Sequence, residues 1–113
     1  MSRSETNEQT EKTLAEIWRR EKAFGEAVQA SADAEHLWKI EKAKAFLAAD
    51  GTEKAREAKA MIDTEDLHKD FLTKQAAMRF LREKLRDAQS ALSARQSLMS
   101  YDAKTNFGYT NRT

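Results

Sequence analysis

Two sets of cations in this 113-residue chain are spaced to meet anions. Arg79, Arg82 and Arg86 lie three and four apart, so on a helix they form one row. Planar guanidiniums match phosphate oxygens bidentately and also stack on nucleobases. Lys39, Lys42 and Lys44 form a second cluster, with Lys39 and Lys42 on one helical face and Trp38 and Phe46 nearby. Lysines beside aromatics suit a single-stranded nucleic acid, whose bases stack on rings while its phosphates meet ammonium groups. Each feature has a plainer reading. An arginine row is also what a solvated helix surface carries, and Trp38 and Phe46 are also what a helical core takes in.

Other chemistry is poorly represented. His36 and His68 are the two histidines, with no second histidine at ligand spacing around either, and His68 reads as a solvated surface residue. No phosphate-cradling glycine loop, HExxH helix or GxSxG elbow occurs, so the chain is expected to be no enzyme and to hold no metal or cofactor. Cysteine is absent, which removes disulfides, thiolate metal sites and cysteine nucleophiles together and fits a reducing cytoplasm. The first residues are polar and no apolar run approaches membrane-spanning length, so the expectation is a soluble cytoplasmic protein with no membrane partner.

The net charge of +1 conceals an asymmetry. Residues 1–35 carry five cations against eight carboxylates, residues 36–66 six against seven, and residues 67–113 nine against four. The basic excess thus sits on the last segment, where the arginine row lies, and nucleic acid is the commonest anionic partner for such a surface.

The elements that must position these residues are helical. Proline is absent, glycine occurs three times, and 35% of residues are charged, with Ala, Glu, Lys, Arg and Leu dominant. The spacing predicts helices over 11–30, 33–50, 53–62 and 64–101, all in a single domain of residues 11–101. Residues 1–10 are expected to be disordered and 102–113 to form a flexible tail. Leu14, Ile17, Glu21, Phe24 and Val28 mark one seam, and Leu37, Ile40, Ala43 and Leu47 mark the next apolar face, with Trp38 and Phe46 at its edges. Ser31 and Asp33 are N-cap types, which predicts a break between these helices. Asp50-Gly51-Thr52 predicts a sharp stop followed by a capped restart. Ala55, Ala58, Met61 and Ile62 give the short helix a thin stripe, and acidic residues at 63–66 open the long one.

That long helix carries the clearest pattern. Leu67, Phe71, Lys74, Met78, Leu81, Leu85, Ala88, Leu92, Arg95 and Met99 alternate in steps of four and three, a heptad seam without glycine or proline. At about 1.5 Å per residue, 33 residues span roughly 50 Å, so the seam must face another helix. Lys74 and Arg95 stand where apolar residues belong. They either fix register or turn their stems to the edge. The first half of the seam is expected to pack within the chain and the second half, from Leu81, to meet other copies. The fold class is therefore all-α, with three to four helices and one long C-terminal coiled-coil-like helix.

The order of these segments resembles the UvsY-like recombination mediators of phages. The matching stretches are Leu37-Trp38-Lys39-Ile40-Glu41-Lys42-Ala43-Lys44-Ala45-Phe46-Leu47, then Ala48-Ala49-Asp50-Gly51, the spacer Lys54-Ala55-Arg56-Glu57-Ala58-Lys59, and Ala91-Leu92-Ser93-Ala94-Arg95-Gln96-Ser97-Leu98. The resemblance implies a cytoplasmic homo-oligomeric ring that binds single-stranded DNA and helps load a RecA-like recombinase onto strands covered by single-strand-binding protein. It also implies that Lys42 and Lys44 touch DNA and that Leu81, Leu85, Leu92, Arg95 and Met99 form the oligomer interface. The alternative is a small helical interaction module, an inhibitor or adaptor, without DNA binding.

Overall fold

Helix formers set in an unbroken 3-4 repeat leave the backbone one economical solution, and the chain takes it. In a computed structural model, described for residues 3–111 and for the side chains of residues 7–101, the protein is all-α. It has three helices, α1 (Arg3–Ala48), α2 (Glu53–Asp63) and α3 (Glu65–Asn111), and no strand among the described residues. None of these helices is long and apolar enough to cross a membrane. Two compact units are present: a central unit, Lys22–Arg82, and a terminal unit built from Met1–Glu21 and Glu83–Thr113.

Within each unit α1 and α3 run antiparallel. In the terminal unit Arg95 reaches Gln9 and Thr13 while Arg20 reaches Lys84, so rising numbers in α1 meet falling numbers in α3. In the central unit Trp38 meets His68 and Phe71, and α2 packs beside them through Ala60, which is 1% exposed. A methyl at that contact lets two helix backbones approach closely.

Several expectations are corrected. The break at residues 30–33 does not occur, because α1 continues through it. Asp33 accepts a hydrogen bond from Gln29 one turn earlier, at 2.8 Å, and Ser31 is buried, so both cap types serve the helix interior. The apolar face of α1 is also rotated from the expected one. Ser31, Ala34 and Ala49 are buried and Trp38 half-buried, whereas Leu14, Val28, Leu37, Ile40 and Leu47 are exposed. On α2 the buried residue is Ala60, while Met61 and Ile62 face outward. Residues 3–10, expected to be disordered, belong to α1, and α3 extends through the expected tail to Asn111. Residues 1–2 and 112–113 lie outside the described residues.

The turn follows its sequence. Gly51 adopts φ 106°, a conformation that residues with a Cβ rarely hold, and Thr52 caps α2 by accepting the Ala55 N–H at 3.2 Å. Thr64 joins α2 to α3: its hydroxyl donates to the Ala60 carbonyl at 2.7 Å and its own carbonyl accepts the His68 N–H at 3.0 Å. That double use satisfies end groups of two helices with one buried residue.

Candidate nucleic-acid interface

In the central unit, Trp38, Lys39, Lys42 and Phe46 follow one flank of α1, and Glu57 and Ala60 of α2 stand opposite them. Together with Ala43 and Leu47 they line a cleft of about 520 Å³. The size is that of a small-ligand pocket, and the lining is apolar with cations at its edge. Trp38 is fixed from below: its ring stacks on His68 with centroids 4.3 Å apart and on Phe71 at 5.9 Å. Lys42 holds its ammonium 5.2 Å from the Trp38 ring centre. Trp38 thus packs on α3 and also lines the cleft.

Phe46 is held by a residue that periodicity does not point to. The Arg56 guanidinium lies 4.6 Å from the Phe46 ring centre, and its Nε donates to the Phe46 carbonyl at 3.1 Å. That carbonyl sits in the last turn of α1, where it also accepts the Ala49 N–H at 3.3 Å. The arginine therefore ties α2 to the end of α1 and adds a cation next to the cleft. The sole hint in the sequence is that the Gly51 turn folds residues 53–63 back over 38–47. His68, expected to be a solvated surface histidine, is instead half-buried against Trp38.

The other expected site residues are distributed as follows. Lys39 is exposed and paired with Glu35 at 2.7 Å, an exposed helix-surface pair that binding can exchange at little loss. Lys44 does not join the cleft. It pairs with Glu41 at 3.3 Å and lines a separate cavity with Asp63, Thr64 and Leu67. Arg79 and Arg82 are exposed and make no ion pair or hydrogen bond among the described residues. Each follows a seam residue, Met78 or Leu81, by one step, as Lys39 follows Trp38. In an antiparallel pair these positions share one side, so Arg79 and Arg82 flank the central unit on the cleft side. Arg86 belongs to the terminal unit.

The interface expected over Leu81, Leu85, Leu92, Arg95 and Met99 is largely occupied within the chain. Leu85 is buried, Leu81 and Leu92 are half-buried, and Arg95 donates to Gln9 O at 3.2 Å and Thr13 Oγ1 at 2.7 Å, while Met99 remains exposed. Of the two seam cations, Arg95 stays in the seam. Lys74 turns out to Asp70 at 2.9 Å, and Gln75 takes the half-buried place. Among the described residues no group of acidic, histidine or cysteine side chains is arranged to hold a metal ion. Compared with protein-family models, with curated proteins and with solved structures, the chain matches none.

Proposed function

We propose that this chain is a non-catalytic helical protein that binds single-stranded nucleic acid in the cleft between α1 and α2. The observation that carries the reading is the gathering of Trp38, Lys39, Lys42 and Phe46 around one opening, with Arg56 of α2 held against the Phe46 ring. Two rings offer stacking surface, worth about 1–3 kcal/mol per base, and Lys39 and Lys42 stand beside them for the phosphates. Arg79 and Arg82 extend the basic side along α3. Glu57 in the lining opposes the phosphates and favours a strand that enters with its bases inward.

The finer reading follows the resemblance: a cytoplasmic recombination mediator that helps load a RecA-like recombinase onto single-stranded DNA coated by single-strand-binding protein. A second reading, an interaction module for a protein partner, draws on Leu47 and Ile62, exposed at 74% and 72%. A salt titration of the full chain against a labelled deoxythymidine oligonucleotide separates them. Binding should weaken steeply with salt, and Lys39→Glu with Lys42→Glu should lower the slope by about 1.4, or 0.7 per lost phosphate contact. Absent or salt-insensitive binding overturns the nucleic-acid reading and leaves the protein-partner one.

A further inference from the structure

The terminal unit has two helices where the central unit has three, and its seam is thin. α1 supplies Thr10, Thr13, Ile17 and Arg20, and α3 supplies Leu85, Ala88, Leu92 and Arg95; Ile17, Leu85 and Ala88 are the buried members. Large apolar side chains nevertheless lie beside this seam. Trp18 is 67% exposed and Leu14 49%, and Trp18 has no ring or cation contact among the described residues. Tryptophan is among the residue types that most often anchor an interface when desolvated at its centre.

The side on which they stand identifies the occupant. Leu14, Trp18 and Glu21 each follow a seam residue of α1 by one step, as Arg86, Gln89 and Ser93 follow seam residues of α3. In antiparallel helices all six positions fall on one side of the pair. Arg20 donating to Lys84 O at 2.6 Å sets Glu21 level with Arg86, yet the two form no ion pair. Among the described residues this face therefore carries an acid without an ion pair on one helix and a base without one on the other, at the same height. A two-fold axis along the helices would lay the α1 flank of one copy on the α3 flank of the next. Every neighbouring helix would then be antiparallel, and each Glu21 would face an Arg86 across the interface.

We propose that a second copy of this chain docks on this face, closing a four-helix bundle around Trp18 and Leu14 and pairing Glu21 with Arg86 between copies. The surface differs from the seam expected to serve assembly, because that seam already faces α1. Arg86 is thereby assigned to self-association, apart from Arg79 and Arg82.

Light scattering across a concentration series of the full chain tests the proposal. The wild type should associate, with Trp18→Ser weakening the association roughly 30-fold as a central interface aromatic does. Glu21→Arg alone and Arg86→Glu alone should each weaken it by about 5-fold. Mixing those two single variants should restore association, since a mixed pair carries opposite charges at both contacts. All three changes are on exposed side chains, so circular dichroism should show unchanged helicity. A wild type that stays monomeric at high concentration overturns the proposal. So does an assembly indifferent to Trp18, or single variants that mixing fails to rescue.

Discussion

The central and terminal units use the same 3-4 spacing and fill it with different chemistry. In the central unit the inward positions hold Trp38, His68 and Phe71, three rings stacked in series, and a third helix covers one side. In the terminal unit the corresponding positions include two arginines, each donating to a main-chain carbonyl of the facing helix. Arg20 and Arg95 pack their stems in the seam and find acceptors for their heads, which a lysine of similar length would do less selectively. Period thus determines which residues face inward, while occupant determines whether the contact is apolar or hydrogen-bonded. An apolar layer gains from every ring it buries, whereas a guanidinium on a helix carbonyl makes one charge-assisted bond, worth at most about 1.5–3 kcal/mol, and demands one register.

The largest effect should separate the two units directly. Phe71→Ala removes a ring that is 7% exposed from the stacked series and should cost about 3 kcal/mol. Ile17→Ala, in the terminal seam, should cost about 2 kcal/mol, since fewer neighbours lose contact. Urea unfolding followed by circular dichroism measures both, and a larger loss at Ile17 would reverse the comparison.

The next prediction concerns the hydrogen-bonded layer. Arg95→Met keeps the stem and deletes both donors, and Thr13→Ala deletes one acceptor. A double-mutant cycle should give a coupling of about 1 kcal/mol. Additive single effects would mean that the bond to Thr13 contributes nothing and that Arg95 acts through its stem and the Gln9 carbonyl.

The fold class was legible because it rests on the period, and the long helix was read nearly residue by residue. Phe71, Met78, Leu81, Leu85, Ala88, Leu92 and Arg95 all lie on the inward side that the seam spacing marks, although from Leu81 onward the facing helix is α1 and not the other copies expected. Two positions depart from that spacing: Lys74, which yields its place to Gln75, and Met99, which remains exposed. On α1 the apolar criterion chose Leu14 and Val28, whereas the helix pair turned Thr13 and Ala27 inward. Close approach of backbones rewards small side chains, and hydropathy does not register that reward. Ser31 and Asp33 were misread for a related reason. Capping preference describes an isolated helix end, and a seam continuing past them overrides it. In the candidate cleft, Trp38, Lys39, Lys42 and Phe46 were legible from i, i+1, i+4 and i+8 spacing on one helix. Arg56 and His68 were not, since their places depend on how α2 and α3 fold back, a geometry no local pattern encodes. Lys44 shows the converse, a neighbour in sequence that the helix turns to another side.

Two glycines give the smallest effects, of opposite sign, and sharpen what holds the central unit. Gly51 lies at φ 106°, and a Cβ there would stand 3.6 Å from the Ala55 Cβ, ordinary contact distance. Gly51→Ala is therefore opposed by backbone conformation alone and should cost about 1 kcal/mol. Gly25 sits inside α1, and a Cβ added there meets nothing within 4 Å. Gly25→Ala should add roughly 0.5–1 kcal/mol by restricting the unfolded chain and raising helix propensity. Both are measured by the same urea titration. A loss at Gly25 would show that this side of α1 is closed by something it approaches closely, and the helix pair alone would no longer account for the open flank.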